Sequence, residues 1–291
     1  MSAMAGKSRK KKHISNDRFW FMFRMSMIDS IVDLWSPHTF SLLAGRPRKG
    51  KTTFIISMAK HIAFDRNMPV LLLSFNSKDY VVKRLLVNAY ELETWVVYEN
   101  EQGETELLDY TKYDDYYEPS LFSKEIFKDE KTVERIIAND QRLRKVPFYL
   151  DCFETYEDYA SMAWIGKIRE DVARYKIKYV FVDSNYSRYE KFYGHSFLSS
   201  LRHLADELDC AIIATAFMSK GLEDRFPELS SMDMDIEDCR LTDMIMILHG
   251  QYHSNIAMVK VMKPDGSLIC DFDLLFIRKY GKFVDSDNRL E

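Results

Sequence analysis

The residues best suited to chemistry lie in one short segment near the start of the chain. Residues 45 to 52 read GRPRKGKT, which fits the pattern G-x-x-x-x-G-K-[ST] at every fixed position. A loop of this kind turns several main-chain N–H groups toward one point, and phosphate oxygens need such converging donors. The segment, called the phosphate loop below, therefore predicts a site for ATP or a close relative. The predicted nucleotide contacts are Gly45, Arg46, Pro47, Arg48, Lys49, Gly50, Lys51, Thr52 and Thr53.

Three side chains have predicted roles in catalysis, and two of them would hold a metal ion. Lys51 would contact the β and γ phosphates, and the Thr52 hydroxyl would bind Mg²⁺, a hard cation that prefers oxygen. Residues 179–183 form an apolar run that ends in Asp183, at the strand end where open α/β sheets place ligands. Asp183 is therefore the expected second Mg²⁺ residue, through a bridging water. The alternative is an Asp that only caps the next turn.

The elements that must position these residues alternate between strand and helix. Apolar runs predict the strands, and apolar residues at helical spacing predict the helices between them. Such alternation indicates an α/β fold with a mostly parallel sheet flanked by helices. After a polar stretch at 220–242, three further runs predict antiparallel strands at the C-terminal edge. The predicted strands are 39–44, 70–75, 147–151, 179–183, 211–216, 244–248, 256–262 and 269–277, and the helices are 51–64, 80–92, 156–175 and 195–208.

The length, charge, cysteine spacing and hydrophobicity of the chain predict a single domain and disfavour a polyanion-binding, a cysteine–metal or a membrane-spanning protein. The 291 residues predict a single domain over 25–285, a basic flexible tail at 1–24, an acidic, tyrosine-rich insertion at 93–128 and a short tail at 286–291. A formal charge of -4 gives no overall attraction to polyanions. The four cysteines show no CxxC spacing, which favours buried thiols over a metal site. No apolar run is long enough to span a membrane, so a cytoplasmic location is expected.

Over residues 25–285 the order of segments resembles the ATPase domain of DnaB-type replicative DNA helicases, a branch of the RecA-like family. The resemblance implies a RecA-like fold, ATP and Mg²⁺ as cofactors, a homo-oligomer such as a ring, and contact with single-stranded DNA. It also implies that the family's usual N-terminal domain is lacking here. The segments that carry the resemblance are 44–54, 70–86, 146–151, 179–184, 199–220 and 227–243.

The chain departs from the family pattern at positions that bear on catalysis. Asn76 stands where the family places the glutamate that polarises the attacking water. The family's sensor glutamine falls at Ala216 or Phe217, and its arginine-finger region aligns with residues 263–266. Lys263 is thus a candidate contact with a neighbouring subunit.

These departures leave two main functions open. The first is an ATP-hydrolysing motor on single-stranded DNA, with reduced activity. The second is a nucleotide-binding regulatory or assembly protein with weak or no hydrolysis. A RecA-like ATPase that acts on protein partners is a third candidate. Residues 233–238 are acidic where the family's DNA-facing loop is basic, which disfavours tight DNA binding through that loop.

Overall fold

The computed structural model describes residues 26–47, 49–91, 94–99, 105–108, 124–127, 143, 145–153, 162–184, 190–218, 226–232, 236–250, 255–277 and 280–286. The predicted tail at 1–24, Arg48, the acidic residues 233–235 and residues 287–291 lie outside this set. So does most of the predicted insertion at 93–128.

Twelve strands are found in the described residues, nine of them in one central sheet. In chain order they are β1 Phe40–Gly45, β2 Val70–Ser74, β3 Thr94–Glu99, β4 Thr105–Leu108, β5 Lys124–Phe127, β6 Phe148–Cys152, β7 Tyr179–Asp183, β8 Ala211–Phe217, β9 Met244–Gly250, β10 Ile256–Met262, β11 Leu268–Ile277 and β12 Lys282–Asp285. The central sheet has the order β12-β11-β10-β9-β1-β8-β7-β2-β6, and β4-β3-β5 form a separate sheet within the predicted insertion.

The predicted mixed sheet is confirmed. In the order of the sheet, each pair of neighbours in the series β9-β1-β8-β7-β2-β6 is parallel. The strands β10, β11 and β12 continue the sheet beyond β9 with antiparallel pairing. β9 is the first of the three runs predicted at the antiparallel edge. It pairs parallel with β1 and antiparallel with β10, so it joins the two halves of the sheet.

Helices cover both faces of the sheet. Those whose bounds fall within the described residues are α1 Met27–Asp33, α2 Lys51–Lys60, α3 Lys78–Tyr90, α4 Ala163–Tyr175, α5 Glu190–Glu207 and the short α6 Ile236–Cys239. One core contains buried residues of α1, α2 and α3, and the other contains buried residues of α4 and α5. Within β7, Phe181 packs in the first core and Val180 in the second. A strand buried on both faces has no polar face, which explains its continuous apolar sequence.

All four predicted helices differ from their predicted bounds. The helix predicted at 156–175 begins only at Ala163, and the helix predicted at 195–208 begins earlier, at Glu190. The helix predicted at 51–64 changes at residue 61 into a π-helical turn, His61–Asp65. The helix predicted at 80–92 begins two residues earlier, because the Ser77 hydroxyl caps it by accepting from the N–H of Tyr80 at 3.3 Å. α1 and β12 were not predicted.

None of the described helices has the length and apolar character that crossing a bilayer requires. The four cysteines are free thiols, and burial raises the pKa of Cys210 to about 12. Cys239 is also buried, whereas Cys152 and Cys270 are only partly buried. The prediction of buried thiols therefore holds for two of the four.

Candidate nucleotide-binding site

The candidate site lies where the parallel strands β1, β8, β7 and β2 end. The phosphate loop follows β1 directly, and Asp183 is the last residue of β7. The pairing of β2 with β7 places Ser74 beside Asp183. The residues that the sequence predicts to act together therefore reach the same edge of the sheet from different strands.

The surroundings of both fixed glycines of the phosphate loop explain why these positions are occupied by glycine. A Cβ atom built at Gly45 would lie 3.0 Å from the main-chain oxygen of Leu248, so only glycine fits between β1 and β9 without movement. Gly50 has a φ of 87° and is the N-cap of α2, a conformation that favours glycine. A Cβ there would also lie 3.4 Å from the Phe283 ring.

The Lys51 side chain folds back onto its own loop. Its ammonium donates to the main-chain oxygens of Gly45 at 2.8 Å and Arg46 at 3.0 Å. It also lies 3.9 Å from the centre of the Phe217 ring. Lys51 is 6% exposed, and burial lowers its pKa to about 8, an effect opposed by the negative charge of Asp183. The cation is therefore desolvated and held at the mouth of the loop.

Asp183 receives hydrogen bonds from three side chains. The Thr52 hydroxyl donates to one carboxylate oxygen at 3.1 Å. The Asn76 amide and the Ser74 hydroxyl donate to the other, at 2.8 and 3.4 Å. Burial raises the pKa of Asp183 to about 6, while these bonds and Lys51 act to lower it. A carboxylate beside hydroxyl oxygens is a donor set that fits Mg²⁺, which takes its other ligands from water and phosphate.

The other predicted loop residues surround this centre. Arg46 and Thr53 are buried, and Pro47 and Lys49 are partly buried. The described residues contain no group of three or more His, Cys, Asp and Glu side chains that could form a metal site made of protein alone.

Lys263 is not brought to this centre. β10 runs antiparallel to β9, and its last residue, Met262, pairs with Ile245 near the start of β9. Ile245 in turn lies beside Leu42, in the first half of β1. β10 therefore runs away from the phosphate loop, and Lys263, which follows it, lies toward the opposite end of the sheet.

The contacts that Ser74, Ser184 and Thr215 make at this site were not predicted from the sequence. The Ser184 N–H donates to the Thr215 hydroxyl at 2.9 Å, and that hydroxyl donates to the Ser184 oxygen at 3.0 Å. The Ser184 hydroxyl donates to the Thr215 oxygen at 3.0 Å. These bonds tie the ends of β7 and β8 together beside Asp183. Ser74 and Ser184 could have been noticed as polar residues at the end of an apolar run, whereas Thr215 lies inside one.

Comparison with known proteins places the chain in a family. The model of the DnaB-like helicase C terminal domain matches residues 23–285. The chain belongs to the DnaB-like helicase family. The resemblance to this family found in the sequence is thereby confirmed.

Two solved structures share the fold of this DnaB-like domain. One, described as an ATPase domain, has 21% sequence identity and a TM-score of 0.61, and the match covers 94% of this chain and 99% of that chain. The other, a DnaB-like replicative helicase described with its interactions with primase, has 22% identity and a TM-score of 0.59. That match covers 88% of this chain and 62% of the other. No curated protein matches the chain by sequence.

Two departures from the DnaB-like pattern lie inside the candidate site. Asn76, at the position expected for glutamate, contacts Asp183 through its amide instead of offering a carboxylate. Phe217, one of the two positions expected for the sensor glutamine, presents its ring to Lys51. Both changes therefore touch the residues that are predicted to hold phosphate and metal.

Proposed function

We propose that this DnaB-like domain binds ATP and Mg²⁺ at the phosphate loop and couples the nucleotide to the handling of single-stranded DNA. The observation that carries the proposal is the 3.1 Å hydrogen bond between Thr52 and Asp183. These side chains come from α2 and β7, and they meet beside the Lys51 ammonium. A hydroxyl, a carboxylate and a cation at the end of a glycine-bounded loop suit the binding of a metal–triphosphate.

Each residue has a role that follows from its position. The main-chain N–H groups of the phosphate loop, which Pro47 lacks, would surround the β phosphate. Lys51 would exchange its present partners, the Gly45 and Arg46 oxygens and the Phe217 ring, for β and γ phosphate oxygens. Thr52 and Asp183 would hold Mg²⁺, which supplies neutralisation of phosphate charge during hydrolysis. Thr53, directly after Thr52, would lie near the α phosphate.

We further propose a homo-oligomer, such as a ring, in which Lys263 serves a neighbouring subunit. Lys263 follows a strand that runs away from the phosphate loop. A cation there can reach the γ phosphate only of another copy. Its charge would partly replace the arginine finger, without the two-pronged hydrogen bonding that a guanidinium gives.

A second candidate is a nucleotide-binding regulatory or assembly protein with little hydrolysis, and Asn76 favours it. A neutral amide cannot accept a proton from water as a carboxylate does. The Asn76 side chain also donates its N–H to Asp183, which turns it toward the metal side of the site. In this second candidate ATP binds without being hydrolysed, and the ATP-bound form itself carries out the regulatory or assembly role.

One assay separates the two candidates. ATP hydrolysis is measured with and without single-stranded DNA for the wild type, Lys51→Ala and the control Lys178→Ala, whose side chain instead pairs with Asp209. Stimulation by DNA that only Lys51→Ala abolishes supports the motor. Tight ATP binding without turnover supports the regulatory protein. If the wild type binds no nucleotide, both candidates fail.

Restoring the missing carboxylate tests the role of position 76. Asn76→Glu is expected to raise turnover by about a hundredfold, at the lower end of the roughly 10²- to 10⁴-fold range of general acid–base catalysis. Asn76→Gln is the matched control, with the same length and no charge. Equal rates for the two variants would show that residue 76 does not face the attacking water.

A further inference from the structure

The partners of the Lys51 ammonium show what it must give up when it binds phosphate. An ammonium has three N–H donors. The oxygens of Gly45 and Arg46 take two of them, at 2.8 and 3.0 Å. The remaining side of the cation is covered by Phe217, with its ring centre 3.9 Å from Nζ, well inside the range of a cation–π contact. The cation is thus satisfied by the protein alone.

The position of Phe217 is fixed by the sheet. It is the last residue of β8 and pairs with Gly45 in the parallel register. The next residue, Met218, donates its N–H to the Gly45 oxygen at 3.2 Å and forms a bridge with Met232. The main chain on both sides of the ring is therefore held, and the ring starts from a fixed point beside the phosphate loop.

We propose that Phe217 is a positioning residue that latches Lys51 onto its own loop, so that a β or γ phosphate must break a cation–π contact to gain the ammonium. The latch rests on the proposed nucleotide function and adds a means of controlling it. It lowers affinity for ligands that need Lys51. Adenosine monophosphate, which carries neither of these phosphates, is unaffected.

The alternative is that Phe217 only fills space, since its ring also packs against the core beneath α4 and α5. Leucine and tyrosine distinguish the two roles. Phe217→Leu keeps an apolar side chain but has no π face, whereas Phe217→Tyr keeps both the bulk and the π face. A packing role makes the two variants differ little in phosphate binding, and a latch makes them differ clearly.

Calorimetric titration with Mg²⁺–ATP and with pyrophosphate tests the latch. Working near pH 6.5, below the pKa of about 8 for Lys51, keeps the ammonium charged. Phe217→Leu is expected to bind both ligands about threefold to tenfold more tightly than the wild type, as loss of a partly desolvated cation–π contact implies. Phe217→Tyr is expected to match the wild type. The control is Phe226→Leu, which removes a similar contact from Lys260, at 4.0 Å.

Equal affinities for wild type and Phe217→Leu overturn the latch, and so does an equal gain in the Phe226→Leu control. If no form of the protein binds ATP, the proposed function fails, and the latch is then decided without nucleotide. The pKa of Lys51 is measured by NMR of ¹³C-labelled lysine, with Lys51→Ala used for assignment. The latch requires a lower pKa in Phe217→Leu than in the wild type, and an unchanged or higher pKa overturns it.

Discussion

Replacing Ser57 by alanine is expected to lower the free energy of unfolding by about 2.5 kcal/mol. The Ser57 hydroxyl, buried in α2, uses its full hydrogen-bonding capacity. It donates to the main-chain oxygen of Thr53 at 2.9 Å. It accepts from the side-chain amide of Asn88 at 2.8 Å and from the N–H of Phe283 at 3.3 Å. One hydroxyl therefore joins α2, α3 and β12 beneath the phosphate loop.

The magnitude follows from the donors that alanine leaves behind. A buried donor without an acceptor costs about 1 to 3 kcal/mol. We take about 2 kcal/mol for Asn88, which is 1% exposed and makes the shorter bond, and about 1 kcal/mol for the longer bond of Phe283. The better helix propensity of alanine offsets about 0.5 kcal/mol of this loss, which leaves the net decrease in the free energy of unfolding given above.

Urea denaturation measures the effect, with Ser230→Ala as the control because Ser230 is exposed. The control is expected to change stability by less than about 0.5 kcal/mol. A double variant with Asn88→Ala should lose clearly less than the two single losses together, because both remove the same bond. A loss below about 1 kcal/mol for Ser57→Ala, or strict additivity, would refute the reasoning.

Three further outcomes are expected. Asp183→Asn should weaken Mg²⁺-dependent nucleotide binding, and unchanged Mg²⁺ dependence in a titration would remove Asp183 from the site. Gly50→Ala should lower stability by about 1 to 2 kcal/mol in thermal unfolding, because φ is 87°, and a neutral result would show that the loop relaxes. Hydrogen bonds to Asp65 and Asp29 raise the pKa of His61, so its contribution is full below about pH 6.5 and is lost as pH rises through the raised pKa. His61→Gln should remove this fall in stability from a pH series of denaturation curves, and an unaltered fall would assign it to another group.

The main strands of the fold could be predicted because burial on both faces leaves an unbroken apolar run. Residues 179–183, all buried, were predicted with the bounds that the structure has. Residues 256–262 were also predicted with the observed bounds, although only every second residue of β10 is buried, because the run is apolar apart from Lys260. α1 and β12, of seven and four residues, are too short for a periodic pattern to distinguish them from loops. They depend on distant contacts, such as the edge-to-face packing of Phe283 on Phe54 at 5.5 Å.

The loop and Asp183 could be placed at one edge from sequence, because the ends of parallel strands meet there. The orientation of Lys51 could not be predicted. It depends on the ring of Phe217, a residue from another strand whose position comes from the sheet register. The contact between Asn76 and Asp183 likewise arises only after β2 and β7 pair.

The packing of β12 under α2 affects when the site can be completed during synthesis. Phe283 is made 226 positions after Ser57, yet its N–H and ring contact the helix that begins at the phosphate loop. A nascent chain still missing β12 has the whole phosphate loop but lacks this support. Competence to hold a nucleotide should therefore arise late, when nearly all of the domain has left the ribosome, and fragments ending before β12 should not compete for ATP.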